Sequence, residues 1–304
     1  MAVRNEAVGE KRWLWPAFAA PGILWLALLF LTPFYAVIAV AMGHLDPIFT
    51  TAEPVWNPLH WDATSFSQVF DSLREGELGV IFVRTFLYVI VAASLCLLIG
   101  YPVAYFAARH AGRHKALILA LIIAPFWINY LMRMLAWINL LEGDGYVNRL
   151  LVTLHVLDQP RQWLVGHHET VILGLVYGYV PYLILPLFAA LDRIDQRAIE
   201  AARDLGASPV QAFFRVTLPL SKQGILAGLV IVMLPMFGDY YTPDLLSGSP
   251  RTRMIGNQIN DFINQGVGGA QGAALTIVLM CFLAVLMGYY LISVARATRQ
   301  SQAG

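Results

Sequence analysis

Residues 200–220 read Glu-Ala-Ala-Arg-Asp-Leu-Gly-Ala-Ser-Pro-Val-Gln-Ala-Phe-Phe-Arg-Val-Thr-Leu-Pro-Leu, a polar, helix-coded island between two long apolar blocks. Upstream, Asp195 is an N-cap for a helix ending at Leu205, because its carboxylate can accept a free backbone N–H. Gly206 then serves as a stop in the left-handed region, where a Cβ would cost about 1 kcal/mol. Ser208-Pro209-Val210-Gln211 restarts a helix: Ser208 caps, Pro209 suits the first helical position, and Gln211 completes a capping box. Pro219 ends or kinks that helix. The expected product is helix, tight turn, helix, all inside an aqueous loop. On the first helix Ile199, Ala202 and Leu205 share a face, with Glu200, Arg203 and Asp204 on others. On the second, Val210, Phe213, Phe214 and Thr217 form an apolar stripe opposite Gln211 and Arg215. Small residues at Ala201, Ala202 and Ala207 permit close approach. Such an island either docks as a rigid knob into another protein or rests on a membrane surface, and the residues alone leave both open.

The flanks place the island beside a membrane. Of 304 residues, 58% are hydrophobic and 13% charged, against roughly 25% charged in soluble domains. Six apolar blocks are long enough to span, given the roughly 20 residues a helix needs. They are approximately Pro16–Met42, Val80–Ala108, Ala116–Leu140, Thr170–Ala190, Gly224–Leu246 and Ala270–Val294. The first is too long for a signal-peptide core and reads as a retained helix. The expectation is an all-α polytopic membrane protein with six transmembrane helices: a tail over 1–12, a membrane domain over 13–300, and the island's loop over 191–223. Lys and Arg orient it. With both termini inside, Lys11, Arg12, Arg109, Arg113, Lys115, Arg193, Arg197, Arg203, Arg215 and Lys222 lie on the cytoplasmic side, together with the island. The opposite loops carry fewer cations and most of the acids, although Arg251 and Arg253 run against the pattern.

Two outer loops carry short helices by pattern, one over Asp62–Ser72 and one over Gly145–Leu151. Cys96 and Cys281 lie singly in apolar blocks and read as packing residues. His167, His168 and Glu169, like His110 and His114, lack metal-ligand spacing and read as solvated. A net charge of +1 offers no field for nucleic acid. There is no G-x-x-x-x-G-K-[ST] loop for ATP phosphates and no nucleophile–base constellation.

Charges inside apolar blocks cost roughly 2.5–3.5 kcal/mol at the bilayer centre, so they face a cavity or a partner. Arg84, Arg133, Asp239 and Asp244 are such charges. Asp239 stands beside Tyr240 and Tyr241, a setting suited to an amine through ion pairing and cation–π contact. The alternative is a structural pair between Asp239 and Arg133 or Arg84. Trp127 and Tyr130, three apart on one helical face, are further candidates for a cavity wall, while Trp137 reads as an interfacial residue. Pro125, Pro181, Pro186, Pro235 and Pro243 are positions at which spans can kink.

The island motif, Glu200-Ala201-Ala202 with Gly206 and then Leu218-Pro219, resembles the coupling loop of permease subunits of type I ABC importers. Further segments resemble the polyamine (spermidine/putrescine) branch: Ala124–Trp127 with Arg133, Ala136 and Trp137, then Gly143–Asn148, Val180–Leu187, Gly238-Asp239 with Pro243–Leu246, and Ile255–Ile259. Together they cover about 80–295; the longer first outer loop departs from the pattern. The resemblance implies a six-helix permease fold with a cytoplasmic coupling helix in the inner membrane. It implies a second, homologous permease subunit, a dimer of ATP-binding subunits holding the ATP and magnesium, a periplasmic substrate-binding protein, and no cofactor in this chain. Glu200, Ala201, Ala202, Arg203, Asp204 and Gly206 would couple to the ATPase. Asp239, Tyr240, Tyr241, Trp127, Tyr130 and Asp244 would line the substrate path. Competing readings are the same importer class with an amino acid, opine or oxyanion, and an autonomous ion-driven transporter.

Overall fold

A computed structural model describes residues 14–45, 52–264 and 268–302; the expected 1–12 tail lies outside them. The described residues within 1–69 and 262–277 form one compact unit, and those within 70–261 and 278–304 form another.

In the first unit, helix α1 (Leu14–Ala41) is apolar on all sides and continuous through Pro21 and Pro33. Ile23, Leu24, Trp25, Leu26 and Phe30 lie exposed along it, as on a helix whose surroundings are lipid rather than water. Strands β1 (His44–Leu45) and β2 (Ala52–Glu53) pair as a short antiparallel ladder. The loop beyond them packs back on α1: Val55 N–H donates to the Ala39 carbonyl at 2.9 Å, and the Tyr35 ring lies 6.2 Å from Trp56 and 6.3 Å from Trp61. Helix α2 (Thr64–Glu75), the short helix expected over Asp62–Ser72, begins in this unit and runs on past Val69 into the second; it is entered through Asp62, whose carboxylate accepts from the Thr64 backbone N–H at 3.0 Å and hydroxyl at 2.6 Å. Those bonds, the hydroxyl's first, hold the Asp62 carboxyl below its ordinary range.

The second unit is built on three helices, α3 (Glu77–Arg109), α7 (His168–Asp192) and α11 (Lys222–Phe237). Without a hydrophobic force between helices in lipid, small residues set how closely they pack. Gly100 of α3 faces Leu183 and Ile184 of α7, and Gly228 of α11 faces Leu183 and Pro186. Cys96 is fully buried at the α3–α7 contact, as expected, and Cys281 is exposed. The last long helix, α14 (Gly269–Gln302), begins in the first unit and ends in the second.

Among the described residues four helices are long and apolar enough to cross a membrane, or six if two bent pairs each count as one span. One bent pair interrupts an expected span. The block Ala116–Leu140 is not one helix: α4 (Lys115–Ile123) and a 3₁₀ turn (Ala124–Trp127) stop at extended Ile128, and α5 (Tyr130–Leu141) departs at 84°. Asn129 causes the restart, its side chain accepting from Leu131 N–H at 2.9 Å as an N-cap. The second bent pair breaks at Ser221, where Lys222–Phe237 departs from Pro209–Leu220 at 60°; the block Gly224–Leu246 is interrupted separately, α11 stopping at Phe237 and α12 (Tyr241–Leu246) following a break at 238–240. Pro181 and Pro186, by contrast, sit within an unbroken α7.

The loop between α5 and α7 holds α6 (Tyr146–Thr153), the expected short helix, and is organised by a buried asparagine. Asn148 Nδ2 donates to the carbonyls of Glu142 at 2.9 Å and Arg161 at 2.9 Å, and its Oδ1 accepts from Trp163 Nε1 at 2.9 Å. Arg84 has no carboxylate partner among the described residues. It clamps the 250–253 turn to α3 by donating to the carbonyls of Arg253 and Arg251, each at 2.7 Å. Helix α13 (Ile255–Asn264) follows, its Ile255 N–H bound by Thr85 Oγ1 at 2.8 Å.

Candidate functional site

The breaks at 128–129 and 238–240 open onto one cavity of about 660 Å³. Tyr130 enters it from the start of α5, Tyr179 and Tyr182 from α7, and Ile231 and Pro235 from α11. Gly238, Asp239, Tyr240 and Tyr241 come from the second break. Asp239 is the one charged residue on this wall, and it is 7% exposed.

The break positions that carboxylate. Thr242 holds it through the backbone N–H at 3.0 Å and the hydroxyl at 2.6 Å, so Asp239 caps α12 from the side. Two tyrosine hydroxyls reach the same oxygen, Tyr130 at 3.4 Å and Tyr179 at 3.3 Å. These are long against the roughly 2.5–3.0 Å of a good O–H···O bond. Tyr130 also bonds the Thr242 hydroxyl. Tyr240 and Tyr241 stack at 4.1 Å between ring centroids. Two glycines let this geometry close. A Cβ on Gly178 would lie 3.1 Å from the Tyr130 ring, and one on Gly256 would lie 2.6 Å from the Gly238 carbonyl oxygen.

Neither arginine pairs with Asp239 among the described residues, which removes the structural pairing weighed above. Arg84 is spent on backbone carbonyls. Arg133 is 6% exposed and lies over aromatic faces instead, 4.5 Å from the Phe126 centroid, 5.3 Å from Tyr130 and 5.8 Å from Tyr177. Among the described residues its Nε and Nη1 find no hydrogen-bond partner; the ring faces are what hold this cation.

Of the expected path residues, the structure brings Asp239, Tyr240, Tyr241 and Tyr130 together. Trp127 is 86% exposed and off the wall. The break at 128–129 explains the miss, since Trp127 and Tyr130 no longer share a helical face. Asp244 also lies off the wall and bonds Asn257 Nδ2 at 2.7 Å; that amide donates as well to the Tyr240 carbonyl at 2.8 Å. Trp137, expected at the interface, packs on Tyr177 with centroids 5.3 Å apart. Tyr179, Tyr182 and Thr242 were missed. The available signal was the spacing of Tyr179 and Tyr182, three apart beside Gly178 on one helix.

The island forms the expected helix, turn and helix. Helix α8 (Gln196–Asp204) is capped by Asp195, which accepts from Arg197 N–H at 3.0 Å. Gly206 turns the chain at φ +88°, with Ala207 N–H returning to the Ala202 carbonyl at 3.0 Å. Helix α9 (Pro209–Ala212) starts on the Ser208–Gln211 capping box, with both bonds present. Glu200, Arg203, Asp204 and Gly206 bound an open concavity with Ser208 and Pro209; Ala201 is exposed and Ala202 half-buried. Leu205 at the tip is 90% exposed.

The second helix departs from expectation. Residues Phe213–Thr217 are wound as a π segment before α10 (Leu218–Leu220). Pro219 has no N–H to return to the carbonyl four residues back, and the wider register accommodates the loss. The predicted stripe therefore splits: Val210 and Phe214 are exposed while Thr217 is buried. Phe213 packs edge-on to Tyr101 and Tyr105, with centroids 5.7 and 5.6 Å away. Tyr101 hydroxyl bonds Ser221 Oγ at 2.9 Å, and Arg109 donates to the Ile194 carbonyl at 2.9 Å. The island is thus gripped by the end of α3.

Among the described residues no group of three or more His, Cys, Asp or Glu could hold a metal ion. His167 and His168 are not simply solvated: His167 meets Arg161 at 2.9 Å, and His168 bonds the Tyr88 hydroxyl. His110 stacks on Phe106.

The profile of the family described as binding-protein-dependent transport system inner membrane component matches residues 100–297. The spermidine/putrescine transport system permease protein PotB of Haemophilus influenzae is 33% identical over 282 residues, covering 91% of this chain and 89% of that protein. PotB of Escherichia coli is 40% identical over 200 residues, covering 64% of this chain and 72% of that protein. Among solved structures, a bacterial alginate ABC transporter, in complex with an alginate pentasaccharide-bound periplasmic protein, has a chain that superposes with a TM-score of 0.65. The two chains are 20% identical, and the match covers 91% of this chain and 92% of that one. The inward-facing MetNI methionine ABC transporter gives a TM-score of 0.52 at 18% identity, covering 72% of this chain and 97% of that one. These two structural likenesses establish the fold.

Proposed function

The chain belongs to the binding-protein-dependent transport system inner membrane components, and from that membership we propose that it is the permease subunit of an ATP-driven importer whose solute is a polyamine. The observation that carries the solute class is the cavity, whose one charge is the Asp239 carboxylate and whose walls bring in five tyrosines. A polyamine is a chain of ammonium groups joined by methylenes. One ammonium suits a carboxylate, and its neighbours suit aromatic faces. Thr242 keeps its hold on Asp239 while an ammonium takes the place of the long tyrosine contacts. An oxyanion would require arginine or lysine on this wall. Relatives that carry spermidine/putrescine permease names support the same choice.

In this reading residues 13–300 form one permease domain with both termini cytoplasmic, and 191–223 is the coupling loop. A dimer of ATP-binding subunits holds the ATP and magnesium and receives Glu200, Ala201, Ala202, Arg203, Asp204 and Gly206. A second, homologous permease completes the path, and a periplasmic binding protein delivers the solute. ATP binding draws the ATPase subunits together and moves the island. The island pulls on α7 through 193–195 and on α11 through the π segment, and hydrolysis resets it. The solute reading is tested by ATP-driven uptake in the assembled complex.

Placement is tested by labelling. Val55→Cys, His155→Cys and Arg203→Cys, each in a background lacking Cys96 and Cys281, are treated in whole cells with an impermeant thiol reagent. The first two react and the third stays unlabelled. Labelling of position 203 from outside overturns the orientation and the coupling role with it.

A further inference from the structure

Behind the island lies a separate cavity of about 240 Å³. Arg109 and His110 enter it from the end of α3, Gln196 and Arg203 from α8, and Phe213 and Thr217 from the π segment; no carboxylate lines it. Neither arginine forms an ion pair among the described residues. Arg109 gives Nη1 to Gln196 Oε1 at 3.3 Å and Nη2 to the Ile194 carbonyl at 2.9 Å, while its Nε–H is inaccessible to solvent and has no partner. The Arg203 side chain makes no hydrogen bond among the described residues. His110 is fixed in place by its stack on Phe106, with ring planes 7° apart and centroids at 6.0 Å.

Arg109 and Arg203 both border this space, whose own walls carry no carboxylate, while Glu200 and Asp204 flank Arg203 on the separate outer concavity; an anion lying between the two arginines is attracted by both. The cavity's 240 Å³ holds roughly eight waters at about 30 Å³ each, enough for a tetrahedral oxyanion with part of its hydration. Guanidinium forks match phosphate oxygens two at a time. We propose that this cavity binds a phosphate group between Arg109 and Arg203, tying α8 to the end of α3. Occupancy stiffens the joint between island and span, whichever solute the transporter carries.

The test is hydrogen exchange of residues 196–217 in the purified complete complex, with inorganic phosphate added against chloride at constant ionic strength. Phosphate at ten times its dissociation constant slows exchange about tenfold. Arg203→Gln, at a side chain that makes no hydrogen bond within this chain among the described residues, keeps the fold and removes the protection, and the yield of intact complex, measured alongside, shows that docking of the island persists. The same experiment in phosphate-free nanodiscs, of phosphatidylcholine alone or with phosphatidylglycerol, separates the sources. Protection by phosphatidylglycerol that depends on Arg203 identifies a lipid headgroup as the bearer of the phosphate. Protection by added phosphate in phosphatidylcholine identifies the free ion. Absence of protection in every arm overturns the proposal, as when a partner's carboxylate already fills the cavity. Equal protection in Arg203→Gln overturns it as well.

Discussion

Gly206→Val leaves the transporter assembled and lowers its solute-stimulated ATP hydrolysis by about tenfold. The reason is local. Gly206 sits at φ +88°, and a Cβ there would meet nothing within 4 Å. The cost is therefore backbone strain alone, about 1–2 kcal/mol for an L-residue and more for a β-branched one. The strain is relieved by re-angling α8 against α9, which displaces Glu200, Arg203 and Asp204 from the surface they present together. A shift of about 1.4 kcal/mol in the population of the docking geometry is a tenfold loss. Glu200→Lys reverses the charge on the same surface without touching the turn, and it lowers stimulation too. Wild-type stimulation in both variants would remove the coupling role from the island.

Asp239→Asn lowers polyamine uptake by about ten- to a hundredfold while the complex assembles in normal yield. An asparagine oxygen can still accept from Thr242 N–H, so the side-chain hold on α12 persists. What disappears is the charge facing the cavity, and a hydrogen bond to a charged partner is worth about 1.5–3 kcal/mol. The measurement pairs radiolabelled spermidine and putrescine uptake with yield of intact complex. Loss of yield in place of uptake would make Asp239 a structural residue, and normal values of both would remove it from the path.

The long spans were legible because an apolar run of fixed length suffices to announce them, and Glu77–Arg109 and His168–Asp192 match their blocks to within a few residues. The island's caps were legible because Asp195, Ser208 and Gln211 act on their own neighbours. The breaks were not. Asn129 and Gly238 sit in runs whose average hydropathy stays high, so each half-span was fused to the next. That fusion misplaced Trp127. Tyr179 escaped because α7 is apolar all round, and no polar face marks the side that meets Asp239. The hold of Asn148 on Glu142, Arg161 and Trp163 depends on how a loop closes, which no local pattern encodes. The π segment was half legible: Pro219 signalled a disturbance, but the packing of Phe213 against Tyr101 and Tyr105 joins residues over a hundred positions apart, which no local pattern encodes.

We propose that this chain moves polyamines only as part of an ATP-driven assembly. Proteoliposomes holding this chain with its sister permease and ATP-binding subunits, supplied with the periplasmic binding protein outside and MgATP inside, test it directly. Radiolabelled spermidine accumulates, accumulation stops when ATP, the binding protein or this chain is left out, and unlabelled putrescine reduces it. Uptake by this chain alone under an ion gradient, or ATP-driven uptake of an oxyanion with none of spermidine, would contradict it.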